Sequence, residues 1–236
     1  MNDFFVLFVI ISIIFIFGLI VILFLRRFAM RDGVFVFKFN GSSVGAIVSG
    51  FVIFSVLIAS DASKNIRLAS LAVIAEGETI REIFEVCSDD GVVSDRLKAY
   101  VTDVVSSEKI SMRSGERSLV VDRDLADLKN VIVISSTCRE KISLLLKLKS
   151  AREVRLLYAR LATPWQLWAA LWVNLAVVMF LLISMHLGDA VSEFLALIAG
   201  TLVFGTLIYV NFMLDHPFGR GISVDLWFIE NVALNY

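Results

Sequence analysis

Two histidines and two cysteines limit the chemistry open to this chain of 236 residues. His216 follows Asp215, and such a pair could orient an imidazole as a general base. No nucleophile accompanies it, so a catalytic reading lacks its second member. Cys87 and Cys138 stand far apart with no CxxC spacing. They read as two unpaired thiols, with a disulfide as the alternative. With only His186 and His216 to add, a zinc site has too few converging ligands. Asp89, Asp90 and Asp95 lack the alternation of a calcium-binding loop and read as a solvated turn. No phosphate-binding glycine loop or nucleophile elbow occurs. No catalytic set, cofactor or metal is therefore expected. The net charge of −1 gives nucleic acid no purchase.

The polar residues that remain of interest border long apolar stretches, and those stretches must position them. Hydrophobic residues make up 58% of the chain and charged residues 19%, against a usual quarter charged. Phe4–Leu25, Phe39–Ser60, Leu161–Gly188 and Phe194–Leu214 contain no Asp, Glu, Lys or Arg. Each reaches the roughly 20 residues that a helix needs to cross a bilayer, and lipid offers a non-helical backbone no partner. The reading is an all-α membrane protein with helices over about 4–25, 40–60, 165–187 and 193–214. A helical segment, 61–163, lies between the second and third, and a tail, 215–236, follows the fourth. The first run has no basic residue before it and Arg26-Arg27 after it, so it reads as a retained anchor, not a cleaved signal.

Four spans put both termini and segment 61–163 on one side. Lys64 and Arg67, then Lys147, Lys149, Arg152, Arg155 and Arg160, crowd that segment's membrane ends, which places it in the cytoplasm by the positive-inside rule. The expected location is the cell inner membrane. Arg26 and Arg27 count the other way.

The spans differ in kind. The first is Phe, Ile, Leu and Val almost throughout and reads as lipid-facing. In the second, Gly41, Gly45 and Ser49 recur every four residues, as do Ser42, Ala46 and Gly50. Small residues at this spacing let helices approach closely, so the second span reads as an inner, protein-packed helix. No glycine or proline interrupts 60–76, and Ile66–Ala75 is apolar on nearly every side, which predicts a buried continuation past the membrane. A turn follows at Ser88–Gly91. A helix fits Ser94–Met112, and Arg113–Glu116 reads as a loop. Val131–Ile134 alone has the composition of a strand. The stripe Leu144, Leu148, Ala151, Val154, Tyr158, Leu161 predicts a helix running straight into the third span, with Pro164 at the junction. Asn174, near the middle of that span, needs a partner, and an interhelical hydrogen bond is the favoured reading. Asn211 reads as less constrained.

The run Leu214-Asp215-His216-Pro217-Phe218-Gly219, followed by Ile222 and Val224, resembles the leucine-aspartate-x-proline-phenylalanine motif of the bestrophin-like domain family of four-span bacterial membrane proteins. Arg152 and Arg155, Pro164 and Trp168, and Tyr100 with Glu108 agree in order. Lys109 stands where that family often has tryptophan. The resemblance covers about residues 35–225. Bestrophins are pentameric anion channels whose second helix lines the pore with a narrow apolar neck, and whose termini and middle segment are cytoplasmic. By that analogy the chain is a homo-oligomer, a pentamer if the likeness extends so far, that conducts ions along the second span.

Ile47, Phe51, Phe54 and Ser55 are then candidates for an apolar neck that gates by dewetting. The bland reading turns the same side chains to lipid or to the first span. Asp61, Lys64 and Arg67 would form charged rings at the inner mouth, or snorkel singly at the interface. Asp215 would pair with Arg152 or Arg155 in a structural lock where the third and fourth helices meet, with Pro217 turning the chain and Phe218 anchoring it. The alternative function is a non-conducting scaffold or sensor of a stress or phage-defence system, whose helices bind a soluble protein partner.

Overall fold

The computed structural model describes residues 3–32, 41–112, 116–135, 138–186, 189–215, 217–218 and 224–235. Among them every regular element is helical: α1 (Asp3–Asp32), α2 (Gly41–Val86), α3 (Gly91–Asp103), a π-helical turn (Val104–Glu108), α4 (Lys109–Met112), α5 (Leu119–Ile134), a 3₁₀ turn (Arg139–Lys141), α6 (Ile142–Arg160), α7 (Trp165–Met185), α8 (Ala190–Leu214) and α9 (Trp227–Asn235). Helices long and apolar enough to cross a membrane lie in four places, at 5–27, within 44–86, within 139–185 and at 190–214. The protein is a multi-pass membrane protein of all-α class.

Contacts divide the chain into two units, residues 1–61 with 163–213, and residues 62–162 with 214–236. The core of the first unit is built by four helices. Ile10 and Ile14 of α1, Phe51 and Ile58 of α2, Leu175 and Met179 of α7, and Leu197 and Phe204 of α8 are all buried in it. In the second unit, the distal half of α2 supplies Val73, Ile80, Ile83 and Phe84 to a core shared with Leu97 of α3, Leu128 of α5, Leu148 of α6 and Ile229 of α9.

α2 runs unbroken for 46 residues. The small residues of its first turns do not interrupt it, and its buried positions Phe51, Ser55, Ile58, Ala62, Ala69, Val73, Glu76, Ile80 and Ile83 keep the three-and-four spacing of one helical face. Gly77 has a specific task. A Cβ there would lie 2.4 Å from Phe228 Cδ1, so only glycine lets α9 seat that ring on α2.

α3 begins at Asp90, whose carboxylate accepts from the backbone N–H of Val92 at 3.1 Å and of Val93 at 3.2 Å. Two otherwise orphaned donors are satisfied in this way. Asp90, offered by the sequence as part of an acidic turn, is a helix cap.

Three expectations about elements change. Val131–Ile134 completes α5 and is not a strand. Its β-branched residues tolerate a helix because Ile132 buries against the core, and tertiary packing overrides so small a propensity. The helix leading to the third span does not run straight on. α6 ends at Arg160 and α7 starts at Trp165, with Pro164 at its N-cap, because a proline lacks the N–H and disfavours helical backbone in the residue before it. The second span is no more covered within one chain than the first, since in both 22% of the apolar window is buried. The loop expected at 113–116 lies outside the described residues except for Glu116.

Candidate functional site

Arg152 and Arg155 stand three residues apart on α6 and share a face. Both are buried, with 2% and 0% of the side chain exposed. Arg155 donates through Nε to Glu76 Oε2 at 2.6 Å and through Nη2 to Glu76 Oε1 at 3.1 Å. Its Nη2 also meets Glu108, and Nη1 reaches the Met112 sulfur at 2.9 Å. Arg152 donates to Glu108 Oε1 from Nε at 3.0 Å and from Nη2 at 2.6 Å, and from Nη1 to Asp122 Oδ1 at 2.6 Å. The Tyr100 hydroxyl closes the network by donating to Glu76 Oε1 at 2.7 Å.

The distal part of α2, α3, the π turn, α5 and α6 each place one or two groups at this node. The π turn has a local role, since it ends on Glu108 with both Val104 and Glu108 buried. A single widened turn commonly re-aims a side chain at a functional position.

Burial alone would favour loss of the arginine protons. For Arg155 the charges of Glu76 and Glu108 outweigh it, and for Arg152 the hydrogen bonds and charge of Glu108, so both guanidiniums hold their protons more tightly than usual. Burial, then the Glu76 charge, pushes the Tyr100 hydroxyl well above its ordinary value, so it stays a donor. Charge-assisted forks of this kind fix geometry as well as energy. Breaking one exposes an uncompensated buried charge.

This arrangement corrects the expected lock. Arg152 and Arg155 pair with Glu76, Glu108 and Asp122, not with Asp215. The carboxylates of α2 and the π turn lie in the interior where the two guanidiniums point, whereas Asp215 is a half-buried residue just past the end of α8. Pro217 and Phe218 are buried, and Phe218 joins the core of the second unit. The Pro217 carbonyl accepts from Val224 N at 2.7 Å. His216, Gly219 and Ile222 lie outside the described residues.

In the first unit, α2 divides the neck candidates. Phe51 is 2% exposed and meets Phe204 of α8 edge to face, with centroids 5.0 Å apart. Ser55 is fully buried, and its Oγ has no hydrogen-bond partner among the described residues. Phe54 packs half-buried against the same core, while Ile47 is 43% exposed. Phe51 and Ser55 are therefore buried within the chain's own first unit. At 100° per residue they share the side of α2 that holds Val44, Ile58 and Ala62.

The opposite side carries Ala46, Ser49, Ile53, Leu57, Ser60, Lys64 and Arg67, all exposed, with Gly45, Gly50 and Asp61 beside them. A Cβ at Gly45 or Gly50 would meet nothing within 4 Å. The small-residue face is thus uncovered by the described residues of this chain. Asn174 is exposed too, and its Nδ2 donates to the Ala170 carbonyl of its own helix at 2.9 Å. That local bond takes the place of the expected interhelical one, because an amide on a helix can reach back one turn. Asn211, read as less constrained, is instead buried, with Oδ1 unpartnered among the described residues.

Two further links join distant parts of the chain, the first absent from the sequence reading and the second its alternative for the two cysteines. Arg26 at the end of α1 donates to Glu193 Oε2 of α8 through Nη2 at 2.6 Å and Nε at 3.1 Å, with Glu193 almost fully buried. Cys87 and Cys138 are not free thiols but form a disulfide, Cα to Cα 5.8 Å, across 51 residues. The fold brings the turn after α2 to the α5–α6 connection, which spacing alone does not reveal.

Four helices fit to cross a membrane thus accompany a helical unit with a buried arginine node. A family model for the bestrophin-like domain matches residues 14–226, so the chain belongs to the bestrophin-like domain family. The fold is similar to a bacterial bestrophin homologue from Klebsiella pneumoniae phased with zinc, with a TM-score of 0.68, 14% identity, and 97% of this chain and 96% of that chain covered. A point variant of that homologue gives a TM-score of 0.71 at 14% identity over 97% and 96% of the two chains. A structure described only as a membrane protein gives 0.66 at 14% identity over 97% and 96%. None of the curated proteins matches the chain.

Proposed function

We propose that the protein is a homo-oligomeric ion channel of the bestrophin type whose pore is lined by the outward face of α2. One observation carries the reading: that face is uncovered in the single chain, is built of small residues around Ile53 and Leu57, and continues into Lys64 and Arg67. Small residues allow copies to approach closely around an axis. Ile53 and Leu57, one turn apart, supply an apolar constriction of the kind that gates by dewetting. Ile47 lies at the edge of the same face. Lys64 and Arg67 would concentrate anions near the mouth, with Asp61 opposing them.

The second unit is assigned to the cytoplasm by the basic residues at its membrane ends. The strongest contrary charge, Arg26, has a structural use in its pairing with Glu193. The inner membrane is the corresponding location.

The test is planar-bilayer recording of purified wild type beside Leu57→Ser, with oligomeric state measured in parallel. A current in wild type that rises in Leu57→Ser supports the reading. A monomer that conducts in neither form overturns it. A stoichiometric soluble partner without ion flux would favour a scaffold or sensor instead.

A further inference from the structure

α5 and α6 form an antiparallel helical hairpin, and between them lies a groove of about 560 Å³. That size falls within the roughly 300–1,000 Å³ range of small-molecule sites. Leu125 and Ala126 of α5 and Ile142, Leu145 and Leu146 of α6 give it apolar walls.

Four cations line it, Arg117, Lys129, Lys149 and Arg152, against two carboxylates, Asp122 and Glu153. Both carboxylates are engaged, Glu153 by Arg117 and Asp122 by Arg152. Lys129 and Lys149 are left, one from each helix, exposed and without an acidic partner among the described residues. The groove thus pairs an apolar trough with two uncompensated positive charges. Its inner end is also the place where the buried node reaches solvent, because Asp122 is 35% exposed while Arg152 behind it is 2% exposed.

We propose that this groove binds a free amphiphilic carboxylate of medium chain length. The chain lies between α5 and α6, and the head group is held by Lys129 and Lys149 beside the Asp122–Arg152 pair. The occupant follows from charge complementarity. An uncharged apolar ligand would leave the lysines unused, and a small inorganic anion would leave the apolar walls uncovered. A bound carboxylate would stand next to Asp122, so occupancy would bear on the one solvent-reaching member of the node. The proposal does not depend on ion conduction.

The probe is radiolabelled decanoate, added by equilibrium dialysis to the full-length protein in lipid nanodiscs, with empty nanodiscs as the baseline. Saturable binding above that baseline, near one per chain, is expected. Lys129→Gln with Lys149→Gln should weaken it at least about tenfold, the effect of losing about 1.4 kcal/mol of head-group attraction. Ala126→Trp, which fills the trough, should abolish it. Both variants should unfold at the wild-type temperature without ligand. Binding no greater than to empty nanodiscs, or unchanged in both variants, overturns the site. Displacement of decanoate by dihexanoyl phosphatidylglycerol at lower concentration than by unlabelled decanoate overturns the carboxylate assignment in favour of a lipid phosphate.

Discussion

The two units treat polar groups away from water in opposite ways. The second buries two arginines and two glutamates and satisfies them with forked hydrogen bonds, Asp122 and Tyr100 completing the set. Among its described residues the first keeps formal charge out of its core except at Glu193, which Arg26 meets at a helix end. Yet it buries Ser55, Thr201 and Asn211 with an oxygen on each unpartnered among the described residues. It also leaves the glycine and serine face of α2 bare. The second unit satisfies its charged node within one chain, although Asp124 Oδ2 is buried there without a hydrogen-bond partner among the described residues.

If that contrast holds, substitutions in the second unit act on the unfolding of the chain itself, and substitutions on α2 act on assembly. The largest effect should come from Glu108→Ala, which leaves Arg152 and Arg155 short of their shared carboxylate. A loss of about 3–5 kcal/mol is expected, read by chemical denaturation followed by far-UV circular dichroism. A value under about 1 kcal/mol would mean that water reaches the node.

Next comes reduction of Cys87–Cys138, which reopens a long loop in the unfolded chain and should cost about 2–4 kcal/mol. Thermal unfolding with and without a dithiol reductant measures it. The cytoplasmic assignment calls for these two cysteines to be thiols in a reducing cell, so their alkylation in intact cells would support it, and their protection as a disulfide would place the unit on the other side of the membrane.

A smaller effect depends on pH. Burial and a hydrogen bond with Asp103 push the Asp124 carboxyl up from 3.8 to about 6. Because the folded state holds this proton more tightly than the unfolded one, the associated stability is present below about pH 4 and lost as pH rises through 6. Asp124→Asn should flatten stability over that window, and a pH series of melting temperatures would show it. An unchanged slope would place Asp124 in open water.

The smallest effect on unfolding should be that of Gly50→Leu, since a Cβ there meets nothing within 4 Å among the described residues. Its consequence should appear in size-exclusion chromatography with light scattering, as loss of the oligomer. An intact oligomer would show that this face does not meet a neighbour, and a destabilised monomer would erase the distinction between the units.

How much of this was legible in the sequence follows the range of each interaction. The four spans were readable because an uncharged run of about twenty residues has few soluble explanations. The continuity of α2 was readable from the absence of Gly and Pro over 60–76. The break before α7 was signalled by Pro164 but outweighed by an apolar stripe that seemed to continue. Arg152 and Arg155 drew attention as basic residues near a span, yet their partners are 79 and 44 positions distant, at Glu76 and Glu108. Only the fold brings them together. On α2 the four-residue spacing of small residues was visible, but not which side faces the core, so the neck and packing readings of Phe51 and Ser55 stayed open; both side chains are buried in the chain. The sequence offered the cysteine pair only as the alternative to free thiols, since its two halves sit in separate turns.

The arithmetic of the arginine node has one more implication. Arginine keeps its proton at any physiological pH, so the net charge of the cluster can change only at its carboxylates. Glu76 and Glu108 are sealed inside, and Asp122 alone is partly open to solvent. The cluster therefore resembles a circuit with a single external terminal. Ions or ligands outside can reach it through Asp122, while the rest of the wiring stays insulated.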